Sequence, residues 1–134
     1  MTVNKIIFVG EEPSKKALEM GVTWEDGRLA AKQLFDAFER IGFDVENAEF
    51  INLFDQGKVR PDVLYKLQTL TRTDIVGMGQ KVQLELIKNK IKHWKLIHPA
   101  ARGAIRKKEI YTAHVYDVMN RIKANSDNLD KNKV

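Results

Sequence analysis

The chain has 134 residues, 43% hydrophobic and 31% charged, which is enough for one domain with its own core and ordinary for a globular protein. It contains no cysteine, which excludes disulfides, thiolate metal sites and iron–sulfur clusters, and no apolar run approaches the roughly 20 residues that span a bilayer. The net charge is +5 and uneven: the first 55 residues carry more acid than base, while residues 86–108 hold eight Lys/Arg and no acid.

Residues 5–9, Lys-Ile-Ile-Phe-Val, form a continuous β-branched and aromatic run ended by Gly10. That pattern predicts a strand buried on both faces, the kind found in parallel sheets. Residues 1–5 lead straight into it with no signal-peptide pattern, so a cytoplasmic location is expected. Gly10-Glu11-Glu12-Pro13-Ser14 is a turn with two carboxylates, and Ser14 is expected to cap a short helix over residues 15–20. Residues 21–27 form a loop with Trp24 near its centre.

A helix is expected from Asp26 or Gly27 to about Ile41, with Ala30, Leu34, Ala37, Phe38 and Ile41 inward and Gly42 as its left-handed stop. A second strand falls within residues 48–54, and residues 56–61 are a loop. Pro61 is well placed to open a helix over about 61–71, with Val63, Leu64, Leu67 and Leu70 inward. Residues 74–79 predict a third strand ending in a Gly-x-Gly turn. The next helix is expected over 80–92 on a stripe of Leu84, Ile87 and Ile91. Residues 94–97 predict a fourth strand, stopped by Pro99, which brings no N–H to a ladder. A last helix is expected from Ile105 to about Lys123, with Tyr111, Val115, Val118, Met119 and Ile122 inward. Residues 124–134 are polar and free of aromatics, which predicts a flexible C-terminal tail after a single domain over residues 1–123.

Four strands alternating with helices predict an α/β fold: a three-layer α/β/α sandwich around a four-stranded parallel sheet. Right-handed crossovers then put every strand's C-terminal end on one edge, where open parallel sheets hold ligands. Glu11, Glu12, Trp24, Asn52 and His98, distant in sequence, are expected to line one cleft there. By chemistry, Glu11 or Glu12 suits orienting or deprotonating a water. Trp24 offers a stacking face. Asn52 offers a donor and an acceptor together, which suits the edge of a base. His98 can donate to developing negative charge. Arg102, Arg106, Lys107 and Lys108 would neutralise phosphates.

Each group also has a structural alternative. The two glutamates could serve only the helix start, Asn52 a turn, Trp24 the core cover and His98 a neighbouring loop, and the basic run could be a solvated face. His93 and His114 are expected to be structural. No His/Asp/Glu grouping has metal-ligand spacing, and the chain has neither a P-loop nor the third glycine of a dinucleotide fingerprint, so no metal and no cofactor is expected.

Over about residues 4–120 these motifs resemble the uracil-DNA glycosylase superfamily. Residues 6–14, Ile-Ile-Phe-Val-Gly-Glu-Glu-Pro-Ser, resemble its first motif, a strand running into Gly-Glu-x-Pro-Gly or Gly-Gln-Asp-Pro. Residues 21–28 are similar to its loop with a base-stacking aromatic. Phe50-Ile51-Asn52-Leu53, followed by Arg60-Pro61, resembles the strand with the base-reading Asn. Residues 74–79 resemble the strand that leads into a Gly-started helix, and Ile97-His98-Pro99 resembles the His-Pro-Ser motif. The sequence departs from the family pattern with Ser14 for Gly, Trp24 for Phe and Ala100 for Ser.

The resemblance implies hydrolysis of the N-glycosidic bond of uracil or a related damaged base in single- or double-stranded DNA. The protein would act as a monomer. Glu11 or Glu12 would handle the water, Trp24 would stack, Asn52 would read the base and His98 would assist its departure. The departures and the concentrated charge support a different expectation, a non-catalytic nucleic-acid-binding or partner-binding module on the same scaffold. A third is an enzyme acting on free nucleosides or nucleotides.

Overall fold

A computed structural model describes residues 5–24 and 30–131. Strand β1 (Ile6–Gly10) is buried along its whole length. It lies second in a four-stranded parallel sheet, between β2 (Ala48–Asn52) and β5 (Asp74–Met78), with β6 (Trp94–Leu96) outside β5. Alternation along β1 sends Ile6 and Phe8 to one face and Ile7 and Val9 to the other. Helices α2 (Ala30–Ile41) and α5 (Lys108–Lys131) cover the first face through Leu34, Phe38, Tyr111 and Val115. Helices α3 (Pro61–Thr69) and α4 (Gln80–Lys88) cover the second through Val63, Leu67, Val82 and Leu86. The protein is the expected three-layer α/β/α sandwich.

Register fixes the functional edge. Gly10 lies opposite Asn52, Val9 opposite Gly77, and Met78 opposite Leu96, so the strands end side by side. Connections leave β1 and β5 over opposite faces, through α2 and α4. That divergence opens a crevice at the carboxyl end of an α/β sheet. Helix α1 (Lys15–Met20) rises from this edge. The Ser14 hydroxyl caps it by accepting the Ala17 N–H at 3.0 Å, and Gly21 ends it at φ 67°.

Several elements differ from expectation. The loop after β2 contains a small antiparallel ribbon, β3 (Phe54–Asp55) with β4 (Lys58–Val59). Helix α4 stops at Lys88, because Lys90 turns left-handed (φ 57°) and folds Ile91 back into the core. Its inward residues are Val82 and Leu86. Leu84 and Ile87 are 59% and 52% exposed, so the stripe expected through them is the outer one. This helix carries two apolar rows, and spacing does not say which faces the sheet. The stretch expected to open the last helix is a separate 3-10 turn at Ala104–Arg106. Helix α5 runs on to Lys131, so backbone expected as tail is helical as far as that residue. Ile122 is its last buried anchor among the described residues, but polar residues beyond an anchor do not break a helix. The expected helix start at Asp26 or Gly27, motif residues 25–28 and the tail residues 132–134 lie outside the described residues.

Candidate functional site at the carboxyl edge of the sheet

The site grows out of an aromatic column. Phe8 stacks on Phe50 at 5.3 Å between ring centroids, and Phe50 stacks on Trp24 at 6.0 Å and 16°. Trp24 thus continues the core upward and becomes the wall of a cleft of about 380 Å³. Glu12, Asn52, Arg60 and His98 also line this cleft. Trp24 both covers the core and borders the cleft. Gly10 makes this possible: a Cβ there would lie 2.9 Å from the Trp24 ring and 3.1 Å from Asn52 Oδ1. The indole Nε1–H donates to Asn52 Oδ1 at 2.8 Å.

The two glutamates separate. Glu12 lines the cleft, and its Oε2 accepts the Gly57 N–H at 3.4 Å, just beyond usual hydrogen-bond length. Glu11 does not line it, which departs from the expected convergence. Its carboxylate lies 3.1 Å from Lys81 Nζ, and that ammonium stands 4.5 Å above the Phe54 ring. Both lie just past the end of β1, and Lys81 from α4 takes only Glu11.

His98 is held from three directions. Its Nδ1 accepts the Ala100 N–H at 3.0 Å, which puts the proton of the neutral ring on Nε2. A Cβ on Gly79 (φ 92°) would lie 3.3 Å from the His98 Cβ, so the turn after β5 packs directly beneath it. The preceding peptide is clamped by α5: Ile97 N–H donates to His114 Nε2 at 3.0 Å, and Tyr111 Oη–H donates to Ile97 O at 2.9 Å. Burial lowers the His98 pKa below its ordinary value, with Glu11 acting the other way. The ring is therefore a neutral donor at pH 7.

Gln83 ties the ends of β5 and β6 by donating to Gly77 O and Leu96 O at 3.0 and 3.1 Å. Beyond Ala100, which also borders the cleft, the chain enters the basic loop. Arg102, Arg106, Lys107 and Lys108 are all exposed and outside the cleft lining. Gln33 Nε2 donates to Arg106 O at 3.0 Å and fastens the loop to α2.

Sequence reasoning gives no cleft role to Arg60, whose guanidinium lies 3.0 Å from Asp62 and 3.4 Å from Asn52 O. Its signal is present in the Arg-Pro that opens α3. The sequence marks Tyr111 as a core residue and His114 as structural, and no local pattern shows that they clamp a loop from a distant helix.

Among the described residues no group of three His, Asp or Glu could hold a metal ion, and no helix is long and apolar enough to cross a membrane. Comparison with protein-family models and with curated proteins finds no match.

Proposed function

We propose that this protein is a DNA glycosylase that hydrolyses the N-glycosidic bond of uracil or a related damaged base. The observation that carries the reading is that Glu12, Trp24, Asn52 and His98, from four separate segments, line one cleft. The resemblance of the motifs at these positions supports it. In this account the target nucleotide leaves the stack and its base enters the cleft against Trp24. Asn52 hydrogen-bonds the base edge. The bond between C1′ and the base nitrogen breaks, and its electron pair leaves with the base. His98 Nε2–H donates to the negative charge that develops there. Glu12 takes a proton from the water whose oxygen bonds to C1′. The proton taken by Glu12 passes through solvent to the departed base anion, so the products are the free base and an abasic sugar. Arg102, Arg106, Lys107 and Lys108 hold the DNA backbone. The chemistry uses side chains and water alone. The proposal includes a monomer, and a cytoplasmic location for which the cysteine-free sequence is the support.

The test is incubation with single- and double-stranded DNA containing uracil, hypoxanthine or mismatches, followed by alkali. Strand breaks at the modified base are expected. Their absence on every substrate at high enzyme concentration would reject the activity.

A second reading, a non-catalytic nucleic-acid-binding module on this scaffold, is favoured by one observation: Trp24 already engages Asn52 Oδ1. It predicts salt-sensitive DNA binding that survives Glu11→Ala and Glu12→Ala but weakens with Arg106→Ala and Lys107→Ala together.

A further inference from the structure

Resting on the DNA reading above, we propose that Lys88, Lys90, Lys92 and Lys95 form a second backbone-binding surface. It is a stripe along the outer edge strand that carries the nucleic acid away from the cleft on one side. Neither the cleft nor the basic loop at its rim uses these four lysines. Lys88 ends α4, Lys90 and Lys92 lie in the connection that follows, and Lys95 is the middle residue of β6. All four are exposed. β6 is the outermost strand on its side and runs parallel to β5, from the far edge of the sheet to the edge that bears the cleft. Trp94 and Leu96 pack on the α5 side, so alternation puts Lys95 on the α4 side. The stretch from Lys92 to Ile97 rises about 17 Å. That matches about five phosphates of one DNA strand. Its upper end delivers the chain to the basic loop at residues 102–108.

These cations are not neutralised within the fold. Residues 86–108 contain no acid. Among the described residues the ion pairs hold Lys5, Lys32, Arg60, Lys66, Lys81 and Arg121, and none of the four lysines. Carboxylates on adjoining elements have other partners: Glu85 accepts from Asn89, Asp74 accepts from the Trp94 indole, and Asp117 pairs with Arg121. Like charges left unpaired repel one another in the free protein. A polyanion relieves that repulsion and releases its own counterions as it binds. Structural duties account for only part of the row. Lys88 suits the negative end of α4, and Lys95 keeps an open sheet edge from pairing with another chain. Lys90 and Lys92 have neither duty. Lys90 moreover holds the left-handed conformation (φ 57°) that glycine adopts at less cost. The strand sets these charges in a line that continues into the loop already assigned to DNA, which fits the phosphates of one strand rather than an acidic protein.

A stripe on one side of the cleft has a directional effect, and the test reads it. Three single strands carry one cleavage-resistant 2′-fluoro-deoxyuridine. One is short, about 6 nucleotides, and two are about 20 nucleotides with the target near the 5′ or the 3′ end. Affinity for the full chain is read by fluorescence anisotropy over a salt series. Wild type is expected to bind one long strand about tenfold tighter than the other two. With all four lysines changed to Gln that advantage should vanish. The slope of log affinity against log salt for that strand should become shallower by about 0.7 for each lysine engaged. Affinity for the short strand should not change. The four changes to Arg keep the charge and should keep the advantage, which separates lost charge from a disturbed fold. An advantage that the Gln variant keeps, or equal wild-type affinity for all three strands, would overturn the inference and leave the cleft reading standing. Competition by polyglutamate as effective as that by a plain DNA strand of equal charge would overturn it in favour of an acidic protein. Absence of binding to any strand would overturn the DNA reading as well.

Discussion

The Ile97 N–H donates to Nε2 of His114 across 3.0 Å, so a helix formed late in the chain holds the peptide that presents His98. His114 can accept this bond only while its Nε2 is unprotonated. Burial lowers its pKa, Asp117 opposes that and Arg121 reinforces it. His98 is shifted in the same direction, again chiefly by burial.

A pH dependence of stability follows. Both folded-state histidines have pKa values below the ordinary 6.5, so on acidification the unfolded chain takes up protons first. Their contribution is fully present above the ordinary value and is lost as pH falls through the depressed folded values. Urea midpoints should therefore drop between pH 7.5 and 5.5. The drop should shrink in a His98→Gln, His114→Gln double variant. An equal drop in that variant would contradict the assignment. Glu49, held low by its hydrogen bond to Lys66, stabilises the fold above its ordinary 4.5, and that contribution is lost only in more acidic solution.

Tyr111→Phe isolates the other half of the clamp. The phenol is buried and protonated, with its pKa pushed far above the ordinary range by desolvation. Removing the hydroxyl takes the donor from Ile97 O and should cost about 1 kcal/mol of unfolding free energy. If the hydroxyl also positions His98, kcat on a cleaved substrate should fall with KM little changed. A loss of stability with unchanged kcat would show a purely structural tie.

Gly10→Ala tests the packing under the cleft wall. The new methyl would meet the Trp24 ring at 2.9 Å. Overpacking of this kind costs about 1–3 kcal/mol. Trp24 should give way, breaking its bond to Asn52. The expected readout is a change in tryptophan emission that disappears when the substitution is repeated in a Trp24→Phe background, where Trp94 alone reports.

Most of this architecture is legible in the sequence, and each success has a local cause. The all-apolar β1, the Ser14 cap, Pro61 at the first turn of α3 and Gly42 at φ 77° are contained within a few residues. The failures lie where the deciding partner is far away. Leu84 and Ile87 match a helical stripe as well as Val82 and Leu86 do, and only the sheet beneath chooses between them. Glu11 and Glu12 are equivalent until Lys81 arrives from α4 to hold one of them. The sheet edge expected to form the cleft does gather Trp24, Asn52 and His98. The bond between Trp24 and Asn52 depends on a side-chain approach that Gly10 permits and no spacing rule describes.

Arg106→Ala with Lys107→Ala tests the basic loop. Both residues are exposed on a turn tethered to α2. If each meets a phosphate, DNA affinity should fall uniformly across sequences. The slope of log affinity against log salt should also become shallower by about one for each phosphate no longer neutralised. An unchanged slope would mean that other cations meet the phosphates.

The most direct measurement is a nuclear magnetic resonance titration of labelled protein with a single-stranded oligonucleotide bearing one 2′-fluoro-deoxyuridine. The account predicts that the Trp24 indole N–H and the Asn52 side-chain amide resonances shift together, at the same ratio of ligand to protein that moves the basic loop. Shifts confined to residues 102–108, with Trp24 and Asn52 unmoved, would mean that DNA binds the surface while no base enters the cleft.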